Sequence, residues 1–118
     1  MRIILVSGPA GGGKSNLAQR LLAEKGGTVI STDEFKESEW DQVPFLVAER
    51  LREAEKFPII LEGVRALSVI HKFGLASQVI EAWWAESGGE RPGCAGMTTR
   101  QRKLAHEMAL QLPEWHHV

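Results

Sequence analysis

A run of glycines that ends in lysine and serine is the stretch of this sequence best suited to chemistry. From Gly8 to Ser15 the chain follows the spacing G-x-x-x-x-G-K-S. Backbone N–H groups of such a loop point inward, and the N-terminus of a following helix adds positive potential, so the loop is predicted to bind phosphate. Lys14 would reach the β- and γ-phosphates, and the Ser15 hydroxyl would ligate Mg²⁺. The predicted nucleotide contacts are Gly8, Pro9, Ala10, Gly11, Gly12, Gly13, Lys14, Ser15 and Asn16.

Acidic residues come directly after two predicted strands. Asp33 and Glu34 follow a short strand at 28–31, and Glu62 closes an apolar run at 57–63 that predicts a third strand. Loops at the carboxyl ends of parallel strands line the ligand crevice of an α/β sheet. Asp33 is therefore predicted to accept a proton from a substrate hydroxyl or to hold Mg²⁺, with Glu34 as the lesser member of the pair.

Glu62 is predicted to support Mg²⁺ or to contact a hydroxyl of the acceptor. A structural interpretation stays open for each carboxylate, because Asp33 can begin a helical turn and Glu62 can cap the next helix.

Basic residues in the second half form a third candidate group: Arg91, Arg100, Arg102 and Lys103. Three of them fall in the first turns of a helix predicted over 99–112, where the helix dipole disfavours positive charge. A glycine-dense segment at 86–97, predicted to be irregular, precedes that helix. This arrangement favours a mobile clamp on transferring phosphates, and a solvated basic face is the alternative.

The flanks of the glycine run predict the elements that must position it. Residues 2–7 are apolar and β-branched, which is typical of a strand buried on both faces. Residues 14–25 place leucine and alanine at helical spacing, and Gly26 supplies the stop. With the strand at 28–31, this strand–helix–strand unit implies a parallel pair with a right-handed crossover.

Beyond the second strand, the pattern predicts irregular chain over 35–43 and a helix from Pro44 to about Lys56. Phe45, Ala48, Leu51 and Arg52 fall near helical spacing in that helix. A short helix is predicted over 65–73. Residues 78–84 favour a fourth strand, with a helix over 76–86 as the alternative. The C-terminal residues 115–118 predict a short strand or a loose tail.

Composition limits the classes of protein to consider. At 118 residues the chain is predicted to be one domain, 1–118. A net charge of −1 gives no general attraction to nucleic acid or to a membrane surface. The single cysteine, Cys94, excludes an intrachain disulfide and a cysteine zinc cluster. With no signal-peptide pattern and no apolar run long enough to span a bilayer, a cytoplasmic location is expected.

Two absences narrow the phosphate chemistry. Asn16 is the only asparagine, so the Asn-Lys-x-Asp motif of guanine recognition is missing. Gly63 follows Glu62, so the paired acidic residues that motor ATPases use to polarise water are missing too. The pattern therefore favours phosphoryl transfer to a small acceptor over hydrolysis.

Three segments, 8–15, 31–35 and 60–64, together resemble the small P-loop kinases. That group includes nucleoside and nucleotide kinases, polynucleotide 5′-hydroxyl kinases, chloramphenicol phosphotransferase and zeta-toxin-type kinases. The resemblance implies an α/β P-loop NTPase sandwich, with a parallel sheet of four to five strands in the order 2-3-1-4-5 and helices on both faces. It also implies a mobile basic lid at 86–103, with Arg100 or Arg102 as its catalytic arginine.

The resemblance further implies ATP and Mg²⁺ as cofactors. It implies Lys14 and Asp33 as catalytic residues, and the residues that hold the metal as Ser15, Glu62 and Asp33. The predicted activity is transfer of the γ-phosphoryl group to a nucleoside, a nucleotide, a polynucleotide 5′-end or another small acceptor. The alternatives are an ATP-binding regulatory or assembly module without transfer activity, and a slow ATPase. The acceptor itself and the oligomeric state stay open.

Overall fold

The computed structural model describes residues 1–35 and 37–118. In that part of the chain, strands form a five-stranded sheet with the order β2-β3-β1-β4-β5, in which each neighbouring pair is parallel. The strands are β1 (Ile3–Ser7), β2 (Thr28–Ser31), β3 (Ile59–Glu62), β4 (Val79–Trp84) and β5 (Trp115–His117). The predicted α/β class, the parallel sheet and the order 2-3-1-4-5 are confirmed.

Helices cover both faces of this sheet. The α-helices are α1 (Lys14–Lys25), α2 (Val43–Glu53), α3 (Ala66–Lys72) and α4 (Ala95–Glu107), and short 3₁₀ turns cover Thr32–Phe35 and Ala76–Gln78. Helix α1 packs on one face, while α2, α3 and the chain just after α4 pack on the other. None of the helices in the described residues is both long and apolar enough to cross a bilayer.

Alternation along β1 divides the core into two layers. Ile3 and Leu5 pack with α2 and α3, whereas Ile4 and Val6 pack with α1. Side chains on a strand point to opposite faces in turn, so a strand covered on both sides needs apolar residues at every position. This requirement explains the unbroken apolar run from Ile3 to Val6. It agrees with the place of β1, the strand that leads into the glycine run, at the centre of the sheet.

Strand register brings the ends of three strands to one level. Glu62 on β3 lies beside Val6 on β1 and beside Ser31 on β2. The carboxyl ends of β1, β2 and β3 therefore meet at one edge of the sheet. Two residues beyond β2, Asp33 arrives at the same edge within the 3₁₀ turn.

The predicted bounds of the last helix were wrong. Helix α4 begins at Ala95 instead of 99 and ends at Glu107 instead of 112. Thr98 and Gln101 are buried, and both have tertiary partners: the Thr98 hydroxyl donates to Glu90, and Gln101 bonds to Gly8. These contacts offset the weak helix propensity of Gly96. That propensity is the reason why the local sequence pattern predicts a later start of the helix.

Two of the four residues predicted at helical spacing in α2, Phe45 and Arg52, lie outside its buried face. Phe45 is exposed, while Val43, Val47 and Leu51 are buried. The helix starts at Val43, one residue before Pro44, and its buried face contains Val43 and Val47. The strand at 78–84 is confirmed as Val79–Trp84, against the alternative helix, and the C-terminal residues form β5 rather than a loose tail.

The other predicted bounds hold to within a few residues. Predicted irregular structure at 35–43 holds for residues 37–42, although the 3₁₀ turn includes Phe35 and α2 begins at Val43. Lys36 lies outside the described residues. The helix predicted to run to Lys56 ends at Glu53, and the one predicted over 65–73 spans Ala66–Lys72.

Candidate functional site

A cleft of about 590 Å³ lies at the carboxyl edge of the sheet, over the start of α1. Its lining comes from four places in the chain: the glycine run, the 3₁₀ turn after β2, the end of β3, and the segment before and within the first turn of α4. The lining residues are Ala10, Gly11, Gly13, Lys14, Ser15, Asn16, Asp33, Glu62, Val64, Arg91, Cys94 and Met97. Fold and register thus bring together Lys14, Ser15, Asp33 and Glu62, four residues predicted from sequence.

The glycine-rich loop (Gly8–Ser15) requires glycine for two different reasons. Gly13, which immediately precedes α1, has φ +98°, a left-handed conformation that residues with a Cβ rarely adopt. At Gly12 a Cβ would collide with the carbonyl oxygen of Ala85, which follows β4. The loop is closed internally by the Gly12 N–H, which donates to the Pro9 carbonyl at 2.9 Å. This tight path leads directly into the N-terminus of α1.

Lys14 lies within the curve of this loop. Only 7% of the residue is exposed, and Nζ donates to the Pro9 carbonyl at 2.7 Å. Burial lowers the pKa of the Lys14 ammonium, because water no longer solvates the charge, and the negative charges of Glu62 and Asp33 oppose that shift. The loop therefore holds a poorly hydrated cation beside two carboxylates.

Glu62 is the buried carboxylate of the site, with 3% of the residue exposed. Burial raises its pKa, while the hydroxyls of Ser31 and Ser15 and the charge of Lys14 act in the opposite direction. Ser31 can act on Glu62 because the two residues are register partners on neighbouring strands. A carboxylate held in this way is expensive to keep ionised unless a cation joins it.

Asp33 and Glu34 are adjacent in sequence but differ in their partners. The Asp33 backbone N–H donates to Ser31 Oγ at 3.2 Å, and Asp33 lines the cleft. Glu34 instead accepts the Ser31 backbone N–H at 3.3 Å and an Arg50 N–H at 2.7 Å. Glu34 thus joins the turn to α2, whereas Asp33 is available to the cleft.

The oxygen donors at the cleft fit a magnesium ion that is bound with a nucleotide. Mg²⁺ is held in such sites by one or two carboxylates together with waters and substrate phosphates, and not by a full protein cage. Asp33, Glu62 and the Ser15 hydroxyl line the cleft. Within residues 1–35 and 37–118, no group of three or more His, Cys, Asp or Glu side chains is placed to hold a metal.

The segment predicted as a lid lies directly on the glycine-rich loop. The Gly88 N–H donates to the Gly12 carbonyl at 3.2 Å, and the Arg91 N–H donates to the Ala10 carbonyl at 2.7 Å. These two bonds hold Arg91 at the rim of the cleft, and Arg91 is exposed to solvent there. Arg91 is therefore the arginine that lines this cleft within the described chain.

Arg100 and Arg102 lie elsewhere. Arg102 donates to the Glu86 carboxylate at 2.7 Å, and its guanidinium lies 5.1 Å from the centre of the Trp84 ring. Arg100 lines a small cavity of about 60 Å³ together with Trp40 and Arg65. The structure thus does not bring the two predicted catalytic arginines to the glycine-rich loop, because α4 starts earlier and its turns face other neighbours.

Gln101 is a site residue that the sequence reasoning missed. Its side-chain amide accepts the Gly8 N–H at 3.1 Å and donates to the Gly8 carbonyl at 3.0 Å. A signal was present in the sequence: Gln101 lies at helical spacing from Thr98, Ala105 and Met108, on the buried side of α4. A polar residue on such a face needs a polar partner, and here that partner is the start of the loop.

The cleft combines the glycine-rich loop at the N-terminus of α1, a buried ammonium, two carboxylates, a hydroxyl and a guanidinium. That set can bind the oxygens of a polyphosphate and a divalent cation at the same place. The chain matches no protein-family model, and no curated protein matches it. The chemistry of the site must therefore be inferred from its own residues.

Proposed function

We propose that this chain has the P-loop NTPase fold and is an ATP- and Mg²⁺-dependent phosphotransferase, which moves the γ-phosphoryl group to a small hydroxyl-bearing acceptor. One observation carries the proposal: Lys14, Ser15, Asp33 and Glu62 line a single cleft with the glycine-rich loop at the carboxyl edge of the sheet. In open parallel sheets this edge is where ligands bind.

The glycine-rich loop and Lys14 serve the phosphates of the donor. Loop amides and the N-terminus of α1 supply partial positive charge, and Lys14 supplies a full charge that burial leaves poorly hydrated. Electrostatic stabilisation is stronger where water is excluded, so a buried ammonium suits the charge that develops on the transferring group. Arg91 adds a second cation at the rim of the same cleft.

Ser15 and Glu62 would hold the magnesium ion, and Asp33 would contact it through water. When bound, Mg²⁺ neutralises charge on the β- and γ-phosphates. The raised pKa of Glu62 is consistent with this role, because its buried carboxylate gains from a nearby cation. The Ser15 hydroxyl lines the same cleft and would be the neutral oxygen ligand of that ion.

Asp33 serves the acceptor. It lines the donor cleft and also a neighbouring cavity of about 210 Å³. An acceptor hydroxyl beside Asp33 attacks the γ-phosphorus as the bond to the bridging oxygen of ADP breaks. The hydroxyl proton passes to the Asp33 carboxylate, and the products are ADP and the phosphorylated acceptor.

The test offers γ-labelled ATP and Mg²⁺ with a panel of nucleosides, nucleotides, 5′-hydroxyl oligonucleotides and small antibiotics. We expect labelled product with at least one acceptor, and we expect Lys14→Ala to abolish it. Lys25→Ala is the matched control, since Lys25 is about 16 Å further along α1 and pairs with Glu81 at 3.2 Å. Equal transfer by Lys14→Ala and the wild type would contradict the proposal.

A nucleotide-binding module without transfer is the second candidate. The observation that favours it is the segment at 86–94, which backbone hydrogen bonds from Gly88 and Arg91 join to the loop. A fixed cover suits retention of a nucleotide better than a catalytic cycle of closing and release. Tight ATP binding with no labelled product across the panel would indicate the module, and phosphate release without any acceptor would indicate an ATPase.

A further inference from the structure

Strand β5 lies at one edge of the sheet, because it is the last strand in the order β2-β3-β1-β4-β5. The Val118 N–H donates to the Trp84 carbonyl at 2.9 Å, and the Val118 carbonyl accepts the Glu86 N–H at 2.9 Å. Backbone groups alternate in direction along a strand. Trp115 and His117 therefore direct their N–H and C=O groups away from β4, and within residues 1–35 and 37–118 no other backbone group pairs with them.

The opposite edge of the sheet is less open than this one. At the end of β2, the Ser31 N–H donates to the Glu34 carboxylate at 3.3 Å. Natural proteins protect strand edges in such ways, because unpaired N–H and C=O groups can accept a further strand. On β5, no side chain of the described residues is bonded to the outward groups. That edge is therefore free to pair with an extended chain.

A pocket of about 240 Å³ lies beside β5, on the α4 side of the sheet. It is lined by Trp84, Arg102, Ala105, Trp115 and His117. The two indole rings are nearly perpendicular, with centres 5.9 Å apart, and they form an apolar corner. The pocket is smaller than the roughly 300–1,000 Å³ of small-molecule sites, so its size suits a single side chain.

Charge beside this pocket is already balanced. The Arg102 guanidinium lies 5.1 Å from the centre of the Trp84 ring and donates to the Glu86 carboxylate at 2.7 Å. The Trp84 Nε1–H donates to the same carboxylate at 3.0 Å. Glu86 would repel an anion and Arg102 would repel a cation, so the pocket favours an uncharged apolar or aromatic side chain.

The outward backbone groups and the pocket belong to the same two residues of β5. Trp115 and His117 provide both, because side chains at alternate positions of a strand share a face. In a strand added to β5, the residue opposite either of them also directs its side chain to that face, about 5 Å away. Backbone pairing would thus place a side chain of the added strand at the pocket.

We propose that β5 and this pocket form a docking site for an extended segment of another protein, which adds a sixth strand and inserts an apolar or aromatic side chain into the pocket. A second copy of this chain is a poorer occupant. On the face that meets the pocket, its own β5 carries His117 and Trp115, and Trp115 packs against the core. That edge therefore has no free apolar side chain to insert. The docking site does not depend on phosphotransferase activity.

The test uses a fluorescently labelled seven-residue peptide with blocked ends, which has phenylalanine at its centre and threonine at the other positions. Threonine favours extended structure, and the symmetric pattern allows either strand direction. Fluorescence anisotropy without ATP measures binding. We expect the phenylalanine peptide to bind about tenfold more tightly, or more, than the same peptide with serine at its centre, because the pocket buries the ring. A peptide with central aspartate should also bind weakly.

Variants of the protein separate the edge from the pocket. His117→Pro removes an outward N–H but keeps the Val118 bonds to β4, so it should weaken peptide binding about fivefold or more. His117→Ser keeps the N–H and should lose much less. Ala105→Leu fills the pocket from α4 and should remove the preference for phenylalanine over serine. Ala109→Leu, at an exposed position four residues later, is the matched control.

Backbone-methylated peptides keep the test independent of how each variant folds. Only alternate N–H groups of an added strand face β5. Methylation of one alternate set of peptide nitrogens should therefore abolish binding, and methylation of the other set should not. Equal affinity for the two methylated peptides overturns the docking site.

Three other results would also overturn it. The first is equal affinity for the phenylalanine and serine peptides, and the second is tighter binding of the aspartate peptide, which would indicate an anion site. The third comes from analytical ultracentrifugation. A wild-type dimer that His117→Pro converts to a monomer would mean that a second copy of the chain occupies the edge.

Discussion

The side-chain amide of Gln101 is paired with the backbone of Gly8 through both of its polar atoms. The Gly8 N–H donates to Oε1 at 3.1 Å, and Nε2 donates to the Gly8 carbonyl at 3.0 Å. Both residues are buried, and 93 positions separate them in the chain. This pair joins the first residue of the glycine-rich loop to the middle of α4. A helix from the C-terminal half of the chain therefore helps to hold the loop in place.

Gln101→Leu should therefore destabilise the protein. The leucine fills a similar volume but leaves the buried N–H and carbonyl of Gly8 without this partner, so the free energy of unfolding should fall by about 1–3 kcal/mol. Urea titration followed by circular dichroism measures the change. Gln111→Leu, at an exposed position just after α4, is the control and should behave like the wild type. Equal midpoints for the wild type and Gln101→Leu would show that the pair contributes nothing to stability.

Lys14→Met should raise the stability of the folded protein at neutral pH and abolish ATP binding. Because burial lowers the pKa of the ammonium in the folded protein, the folded state binds the proton less well than the unfolded chain does. The wild type should gain stability as pH rises from the lowered pKa toward the ordinary lysine value. Lys14→Met removes the buried charge, so it should unfold at a higher urea concentration at neutral pH while losing ATP binding. A lower midpoint would mean that the bond to Pro9 outweighs the burial cost.

Local pattern was sufficient for the elements that carry the loop. The apolar strand at 2–7, the helix at 14–25 and the strand at 28–31 each have a strong period and a clear stop, and the structure places them within one residue of these bounds. Asp33 and Glu62 could be expected at the same edge because parallel strands end together. The order of the strands came from resemblance, since pairing partners leave no local pattern.

The position of the basic residues could not be predicted locally. Arg91 reaches the cleft because backbone hydrogen bonds from Gly88 and Arg91 attach its segment to the loop, and such bonds depend on no side-chain pattern. Arg102 points instead to Glu86 and Trp84, because α4 begins at Ala95. That start depends on long-range contacts of the helix, which sequence spacing does not reveal.

Glu62→Gln should change how stability depends on pH. Burial raises the pKa of Glu62 in the folded protein, so between the ordinary glutamate value and the raised value the folded state holds more protons than the unfolded chain. In that window the wild type loses stability as pH rises, and the loss is complete above the raised pKa. Glu62→Gln has no such window, so it should be the more stable protein at neutral pH.

Unfolding of the wild type and Glu62→Gln by urea across a pH series, with a chelator present, checks this sign. Asp41→Asn, on the exposed chain before α2, is the control for removing a carboxylate. A constant difference between the wild type and Glu62→Gln at every pH would contradict the expectation.

Asp33→Asn should remove transfer and leave nucleotide binding in place. The amide cannot accept the hydroxyl proton, and loss of a general base typically lowers kcat by about 10²- to 10⁴-fold. ATP affinity, measured separately by calorimetry, should stay near the wild-type value because the loop and Lys14 are intact. Glu34→Gln is the matched control: it loses an ion pair with Arg50 that contributes about 0–1 kcal/mol to stability, and it should keep full transfer. Full activity in Asp33→Asn would rule out the proposed role of that residue.

Arg91→Ala and Arg102→Ala test which arginine contributes to transfer. Arg91 lies at the cleft in the structure, whereas Arg102 was predicted as catalytic from the sequence. Arg91 lines the cleft, and its backbone is bonded to the loop at Ala10. Its loss should lower kcat about 10²-fold or more, since a preorganised cation at the developing charge is removed. Arg102 is occupied by Glu86 and lies over Trp84, so Arg102→Ala should leave kcat unchanged and lower only the urea midpoint. Single-turnover transfer from labelled ATP separates the two cases, and the reverse pattern would mean that α4 moves to bring Arg102 to the loop during the reaction.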